Sequence, residues 1–302
     1  MTKLVLIDGH AILHRAYHAL PPLTNRKGQQ VNAVYGFTSM LLRTISDLKP
    51  THLAVCFDRP EPTFRKEKFA AYQSHRPETD KELVSQFEVA KEVARAMDIP
   101  VLEKAGFEAD DLLGTIATQA KKDKLDEVVI VTGDRDILQL VNDEEKIEVF
   151  MPSRGLSEGK LYKEKDAHER MGVPARLIPD YKALVGDPSD NYPGVAGIGP
   201  KTAEKLLEKY NGIDHLYKYL VDIEPKVKEK LVKNKDLAIL SHNLATIVRD
   251  VPIEFEIDKM SKWSVANPRV LEFFDDLGFK SLIKRVEELE RKIVKENQMS
   301  LI

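Results

Sequence analysis

The stretch EVVIVTGDRD, residues 127–136, decides the fold class, because a short, β-rich apolar run leads directly into an acidic turn. Two more runs have this form, KLVLID at residues 3–8 and HLAVCFD at residues 52–58, and each ends in aspartate. A fourth strand pattern, KIEVFMP, occupies residues 146–152. Stretches of helical period separate these runs. The alternation predicts an α/β fold with a mostly parallel central sheet and helices on both faces.

The strand pattern fades after about residue 172. Helical stretches follow, interrupted by GDPSDNYPGVAGIGP at residues 186–200 and by Pro225. We therefore predict an α/β domain over residues 1–172, a smaller helical domain over residues 173–292 and a tail over residues 293–302.

The bulk composition is that of a soluble globular protein, since 42% of the 302 residues are hydrophobic and 31% are charged. The apolar runs are far shorter than the ~20 residues that span a bilayer. The first residues, MTKLVLIDG, lack a signal-peptide pattern. These features predict a cytoplasmic protein without a membrane partner. Cys56, the single cysteine, excludes an internal disulfide and a cysteine-based zinc cluster, and its apolar surroundings predict a buried side chain.

The formal net charge of −3 does not favour nucleic-acid binding, but it is a sum that conceals clusters. Residues 59–76 carry five Lys and Arg residues against two acids, and residues 201–235 carry nine Lys against six acids. Solvated helix faces explain such excesses equally well.

The stretch GFEADDLLGTIA, residues 106–117, places three acids within four positions at a predicted helix start. The helix dipole favours one or two acids there, whereas three within one turn repel one another unless water or a cation screens them. The motif GDPSDN adds two more acids. A turn or N-cap role explains any one of these residues. All the acids at predicted strand ends and loop turns are Asp8, Asp58, Glu108, Asp110, Asp111, Asp134, Asp136, Asp187 and Asp190.

Acids that follow parallel strands share one edge of the sheet, so residues distant in sequence meet there. Nine converging carboxylates cannot all stay ionised without divalent cations, and all-oxygen ligands select Mg²⁺ or Mn²⁺. Two such ions ~4 Å apart are a known device for hydrolysing phosphodiesters. The acid pattern therefore predicts metal-assisted phosphoryl chemistry.

Two other patterns have competing interpretations. His10, His14 and His18 share one helical face at a spacing that can bind zinc, but no HExxH motif accompanies them, which favours packing or phosphate contact. GVAGIGPKT, residues 194–202, approaches a P-loop, but Pro200 breaks the Gly-Lys-Thr adjacency. What remains is a glycine-rich hairpin that opens a helix, whose N–H groups could hold a phosphate without base contact.

The motifs LIDG, FD, TFRKEKF, EADD, TGDRD, GDPSDN and PGVAGIGPKTA, in this order, resemble the 5′ nuclease family of flap endonucleases, in its bacterial, polymerase-linked branch. The resemblance covers about residues 1–290. It implies a PIN-like nuclease core in the α/β domain and a helix-hairpin-helix element in the helical domain.

The resemblance also implies ligand sets. The first divalent metal would be bound by Asp8, Asp58, Glu108, Asp110 and Asp111. The second would be surrounded by Asp134, Asp136, Asp187 and Asp190. A K⁺ ion, through which the hairpin grips duplex backbone, would be held by the main-chain carbonyls of Leu184, Val185, Pro193, Val195 and Ile198.

Residues 59–85 match the family's arch, under which the single-stranded 5′ end passes. The family usually has Tyr-Lys in the arch, with Lys at the scissile phosphate, whereas this chain has YQSHR with Gln73. Gln73 is uncharged, which reduces its contribution to the transition state. Arg15 matches the family's other basic residue at that phosphate. Residues implied to contact DNA are Tyr35, Arg59, Arg65, Lys66, Arg76, Gly197, Gly199, Lys201 and Thr202.

The sequence thus predicts a Mg²⁺-dependent 5′-3′ exonuclease and flap endonuclease that acts near DNA 5′ ends, flaps and nicks in replication and repair, leaving 5′-phosphates. We expect a monomer in the bacterial cytoplasm, associated with the nucleoid, working with a DNA polymerase domain in cis or in trans. One alternative is a DNA-junction binding protein whose catalysis has weakened through Gln73, although retention of all nine acids opposes it. A related RNA 5′ nuclease is the other.

Overall fold

A six-stranded sheet forms the centre of the molecule in the computed structural model, which describes residues 1–152 and 159–299. Its strands are β1 (Lys3–Asp8), β2 (His52–Cys56), β3 (Val101–Leu102), β4 (Glu127–Val131), β5 (Ile147–Pro152) and β6 (Gly159–Tyr162). Their spatial order is β3-β2-β1-β4-β5-β6, and all neighbours are parallel except β5 and β6.

Helices cover both faces of this sheet, as predicted. The helices between its strands and just after β6 are α1 (Gly9–Ala19), α2 (Asn32–Leu48), α3 (Phe64–Lys68), α4 (Lys81–Ala96), α5 (Ala109–Lys122) and α6 (Glu164–Met171). Alternate residues of β1 enter opposite cores: Leu4 and Leu6 pack on the α5 face, and Val5 and Ile7 pack on the face of α1 and α2. Cys56 is fully buried on the α5 face. The predicted fold class is confirmed.

The helical part packs on the α5 face, where Leu184, Leu207, Leu216 and Leu231 join the same apolar core. It contains a two-stranded hairpin between its first two helices. Its elements are α7 (Ile178–Val185), β7 (Gly186–Asp187), β8 (Tyr192–Pro193), α8 (Pro200–Tyr210), α9 (Ile213–Lys218), α10 (Pro225–Lys233) and α11 (Lys235–Ala245). Short 3-10 turns lie at Asp136–Leu140, Ala175–Leu177, Leu220–Asp222 and Ile257–Ser261.

The last two helices, α12 (Pro268–Asp276) and α13 (Lys280–Met299), differ from the predicted division of the chain. The sequence pattern predicts them in the helical domain, with a tail from residue 293. Instead Phe274 and Val286 are buried in the core on the α1 and α2 face of the sheet. The helix α13 also continues through residue 299. Amphipathic helices pack against whichever apolar surface is available, and α2 and α4 provide it here.

The chain reverses its course across the sheet between β1 and β4. It first builds β2 and β3 on one side of β1, then returns to add β4 and β5 on the other. A cleft forms at the carboxyl ends of the strands where an open sheet reverses in this way. Asp8 ends β1, and Asp134 follows β4, so both lie at this edge. No helix in the described parts of the chain is both long enough and apolar enough to cross a membrane.

Candidate active site

A cleft of about 520 Å³ opens at this sheet edge. Seven of the nine predicted acids line it. They are Asp8, Asp58, Glu108, Asp110, Asp134, Asp136 and Asp190. The convergence of acids from several strand ends therefore exists in the folded chain.

Asp8 lines the cleft, where it is 3% exposed and held by two hydrogen bonds. Its Oδ1 accepts a hydrogen bond from the Ala11 N–H at 2.9 Å, and its Oδ2 accepts one from Thr132 Oγ1 at 2.7 Å. Burial, together with the neighbouring carboxylates of Asp58 and Asp134, raises the pKa of Asp8 to about 7 in spite of these hydrogen bonds. A cation placed here would restore the ionised form.

Glu108, the residue before α5, and Asp110, in the first turn of this helix, both line the cleft. Glu108 accepts hydrogen bonds from Thr63 Oγ1 at 3.2 Å and from the Tyr72 hydroxyl at 3.3 Å. Burial raises the pKa of Glu108 to about 7. The pKa of Asp110 is raised well above its usual range by burial and then by Asp134 and Asp8. Both carboxyl groups therefore hold a proton more readily than an exposed acid does.

Asp58 ties the cleft to α1 and α5. Its Oδ1 accepts a hydrogen bond from the Ala109 N–H at 2.6 Å, and its own N–H donates to His10 Nδ1 at 3.2 Å. The His10 ring stacks on Phe87 with centroids 4.1 Å apart, and burial lowers its pKa. His10 is thus a packed imidazole beside an acid, whereas His18, at the other end of the predicted histidine face, is exposed.

Asp111 departs from the predicted ligand set. Both of its oxygens accept hydrogen bonds from the Arg65 guanidinium, at 2.7 and 2.8 Å, and they also accept from the N–H groups of Glu108 and Val248 at 3.1 and 2.9 Å. The side chains of Asp111 and Arg65 are 0% and 3% exposed. Neither the predicted metal role of Asp111 nor the predicted DNA contact of Arg65 fits this closed ion pair, which joins the arch to α5.

Asp136, Asp187 and Asp190 form a second group of acids, in which one oxygen of each lies within 4.8 Å of the others. We call these three the second carboxylate group, and Asp8, Asp58, Glu108, Asp110 and Asp134 the first carboxylate group. The ammonium of Lys182 contacts both oxygens of Asp136 and Oδ2 of Asp187.

Lys182 changes the electrostatics of the second carboxylate group. Burial raises the pKa of Asp136 to about 6 although Lys182 opposes the shift. For Asp187, Lys182 and the hydrogen bonds from Ser189 outweigh burial and hold the pKa below its usual range.

The arch closes one side of the cleft by contacting Asp190. The Gln73 N–H donates to the Asp190 carbonyl at 2.9 Å, and Gln73 Nε2 donates to Oδ1 of Asp190 at 3.1 Å. The Arg76 guanidinium donates to the same Oδ1. Gln73 and Arg76 therefore meet at one carboxylate oxygen.

The remaining predicted arch contacts lie at the rim. Arg59 lines the cleft but pairs with Glu61 and Glu103, at 2.5 and 3.6 Å. Lys66 is exposed at the cleft edge.

Two residues predicted to contact DNA, Arg15 on α1 and Tyr35 on α2, lie in different surroundings. Arg15 follows His14 on α1 and lies one turn beyond Ala11, and both of those neighbours line the cleft. Tyr35 on α2 instead packs on Phe279, with ring centroids 5.3 Å apart, and shares a hydrogen bond with Ser281 at 3.0 Å. The structure therefore does not bring Tyr35 to the cleft.

The glycine-rich hairpin leads from α7 into α8, with Gly199 as the residue before the helix and Lys201 and Thr202 in its first turn. Gly197 has φ +79°, which favours glycine, and its carbonyl accepts a hydrogen bond from Lys230 Nζ at 2.9 Å. Gly199 has φ −100°, and a Cβ there would meet no atom within 4 Å. Gly199 therefore presents bare backbone to solvent.

Three of the predicted potassium-binding carbonyls already accept a hydrogen bond within the protein. Their donors are the Val195 N–H for Leu184, the Ser241 hydroxyl for Pro193 and the Ile198 N–H for Val195. A carbonyl oxygen has two lone pairs, so each can accept one more partner. The predicted potassium site, which also includes Val185 and Ile198, stays a prediction.

Sequence reasoning missed three residues that shape the site. Thr132 orients Asp8, Tyr72 donates to Glu108, and Lys182 joins Asp136 to Asp187. The sequence features that could have revealed these residues are a threonine inside VTGD, a tyrosine beside the unusual Gln73, and one lysine in the otherwise apolar end of IPDYKALV.

The two halves of the chain match two family models. The 5′-3′ exonuclease N-terminal resolvase-like domain matches residues 3–172, and the 5′-3′ exonuclease C-terminal SAM fold matches residues 173–268. DNA polymerase I of Caldicellulosiruptor bescii is 40% identical over 94% of this chain and 33% of its own length. DNA polymerase I of Bacillus subtilis is 40% identical over 95% of this chain and 32% of its own length. The chain thus spans about a third of these relatives.

Solved structures share the fold at low sequence identity. A flap endonuclease of bacteriophage T5, in a complex with DNA and metal ions, has a TM-score of 0.67 and 19% identity, covering 97% of this chain and 99% of its own. The catalytic core of Rad2, in complex with a DNA substrate, has a TM-score of 0.57 and 14% identity, covering 97% of this chain and 91% of its own.

Proposed function

The chain belongs to the 5′-3′ exonuclease family, and from that premise we propose that it is a Mg²⁺-dependent nuclease that hydrolyses DNA phosphodiesters near 5′ ends, flaps and nicks. The convergence of acids at the sheet edge carries this proposal. Seven carboxylates line one cleft, and burial raises the pKa of Asp8 and Glu108 to about 7. Such a cluster is suited to divalent cations, which would neutralise it.

The residues present fit two hard cations. All the donors are carboxylate oxygens, which Mg²⁺ and Mn²⁺ prefer. The buried hydroxyl of Tyr192 has no hydrogen-bond partner among the described residues, and its pKa is raised by burial and then by Asp136, Asp187 and Asp190. A polar ligand at the second carboxylate group would satisfy this hydroxyl.

The first carboxylate group would hold one ion and the second carboxylate group the other. Asp134 would lie between them, because it raises the pKa of Asp8 and Asp110 in one group and of Asp136 in the other. The ions would lower the pKa of water and stabilise the charge that develops on the phosphodiester. Asp111 is left out of this set because its oxygens are occupied by Arg65.

The protein's own residues would position the strand. The arch forms a wall of the cleft through Tyr72, Gln73 and Arg76, and a single strand lying against it would meet the Arg76 guanidinium. The hairpin at Gly197 and Gly199, with Lys201 after it, would contact duplex backbone, with a K⁺ ion held by its carbonyls. A DNA flap or nick would make both kinds of contact. We propose that the protein acts on such DNA in replication and repair, with a DNA polymerase domain in cis or in trans. We place this activity in the bacterial cytoplasm, at the nucleoid, and assign it to a monomer.

Cleavage of end-labelled substrates tests the proposal. The protein should cut a 5′-flap and a nicked duplex in Mg²⁺, leave a 5′-phosphate, and be inactive in EDTA. Matched RNA strands should be cut more slowly, and faster RNA cleavage would identify an RNA 5′ nuclease instead. Binding to the flap without cleavage in either Mg²⁺ or Mn²⁺ would refute the proposal and support a DNA-junction binding protein.

Gly199→Leu is expected to weaken binding to the duplex part of the substrate about tenfold, because the added side chain would separate the backbone from phosphate. The fold should be unaffected, since a Cβ at Gly199 meets no atom within 4 Å. Fluorescence anisotropy with flap DNA in Ca²⁺ measures the affinity, and Gly199→Ala is the matched small control. Unchanged affinity together with lost turnover at saturating DNA would contradict the role of the hairpin.

A further inference from the structure

A lysine side chain occupies the middle of the second carboxylate group. Lys182 lies on α7, is 8% exposed, and directs its ammonium at Asp136 and Asp187. Its Nζ lies 2.5 Å from Oδ2 of Asp187 and also contacts both oxygens of Asp136. These are two of the three residues whose oxygens lie close enough together to share one metal ion.

The first carboxylate group is built differently at Asp8, although the Arg65 guanidinium lies 3.4 Å from Oε2 of Glu108 in the same group. The oxygens of Asp8 accept hydrogen bonds from neutral donors, the Ala11 N–H and the Thr132 hydroxyl. Neutral donors do not repel an incoming divalent ion, whereas an ammonium at hydrogen-bond distance from the same oxygens does. A Mg²⁺ ion bound directly by those oxygens would lie about 2.1 Å from them. Lys182 and an ion cannot both use Asp136 and Asp187 in this arrangement.

We propose that Lys182 is a resident counter-ion of the second carboxylate group, and that a divalent cation binds there by displacing its ammonium. The long, flexible lysine stem allows this movement without a change in the backbone. The second ion therefore binds more weakly than the first, and the metal-free protein keeps Asp136 and Asp187 paired. This inference rests on the metal dependence proposed above.

Metal binding without DNA tests the inference through Lys182→Met, which keeps the length of the side chain and removes its charge. Titration with Mn²⁺, followed by calorimetry and by the EPR signal of free Mn²⁺, gives the affinity of each site. We expect Lys182→Met to tighten the weaker site by at least about tenfold and to leave the stronger site unchanged. Lys182→Arg keeps the charge and should not tighten it. Lys165→Met, at a highly exposed position, is the control for loss of any lysine.

A second measurement uses the unaltered protein and does not depend on the folding of a variant. Brief acetylation followed by mass spectrometry reports how accessible each lysine is. Labelling of Lys182 should rise several-fold as Mg²⁺ fills the weaker site and should not change as the stronger site fills. Constant labelling of Lys182 with both sites filled would overturn the inference.

The possible failures are distinguishable. If no protein in the series binds Mn²⁺, the metal dependence of the proposed function is wrong. If all bind two ions and Lys182→Met has the same affinities as the unaltered protein, only the role of Lys182 is wrong. If Lys182→Met is unfolded without metal, recovery of its thermal transition in Mn²⁺ supports the inference, and the acetylation result decides it independently.

Discussion

Asp134→Ala and Asp110→Ala are each expected to lower the single-turnover rate of flap cleavage by about 10³-fold or more, with little loss of DNA affinity. Both carboxylates line the cleft, and removal of either would take a ligand from the proposed ions, which supply several kcal/mol of transition-state stabilisation. The rate is measured with enzyme in excess over a 5′-labelled flap in Mg²⁺. Affinity is measured separately in Ca²⁺.

Asp47→Ala is the matched control for this loss. Asp47 is exposed, pairs with Arg43 on α2 and does not line the cleft, so its removal should leave the rate unchanged. Full activity of Asp134→Ala in Mg²⁺ would remove Asp134 from the site. Equal losses in Asp134→Ala and Asp47→Ala would show that the assay reports general damage.

Asp134→Ala and Asp110→Ala should be at least as stable as the unaltered protein when metal is absent. Burial and neighbouring acids raise the pKa of Asp110 above its unfolded value, so the folded state holds a proton that the unfolded state releases as pH rises. Stability of the metal-free protein should therefore fall between about pH 4 and pH 7, the window set by the pKa of about 7 for Asp8 and Glu108. Asp110→Ala should gain relative to the parent as pH rises, as thermal unfolding in EDTA can measure.

The position of the site was predictable because parallel strands end at one edge of a sheet. Asp8 ends one strand, and Asp58 and Asp134 follow two others. Strand patterns are local features that the sequence displays directly. The strand order reverses between β1 and β4, and this reversal opens the cleft. The alternation of strands and helices in the sequence does not reveal it, because it depends on which strands pair.

The partners of individual acids were not predictable, because they come from distant segments. Asp110 and Asp111 are adjacent in EADD, yet one lines the cleft and the other faces Arg65, which lies 46 positions away. A charge pattern does not tell which side of a helix meets which neighbour. The partner of Lys182 was not predictable either, because its contact with Asp136 joins two domains across 46 positions.

Arg76→Ala is expected to lower the single-turnover rate on the order of 10²-fold, which is typical for losing one electrostatic contact at a reacting phosphate. We propose that Gln73 occupies the position of the family's arch lysine and that another cation of the arch serves in its place. Arg76 shares Oδ1 of Asp190 with the Gln73 amide, and its side chain is half exposed at the cleft. Arg59 and Arg65, in contrast, do not contact Asp190: Arg59 pairs with Glu61, and Arg65 pairs with Asp111.

Because Gln73 and Arg76 contact the same oxygen of Asp190, a lysine at position 73 should be able to replace the charge of Arg76. Gln73→Lys alone should change the rate only slightly, because Arg76 already supplies the charge, but in the Arg76→Ala background it should restore a large part of the lost rate. Lys68→Ala is the control, since that exposed side chain lies over the Phe64 ring outside the cleft. Arg15→Ala should lower the rate severely in either background, because the two basic groups near the phosphate would be reduced to one or none. If Arg76→Ala keeps its full rate and Gln73→Lys alone accelerates cleavage, the arch lacks its cation in this chain and Arg76 only holds Asp190.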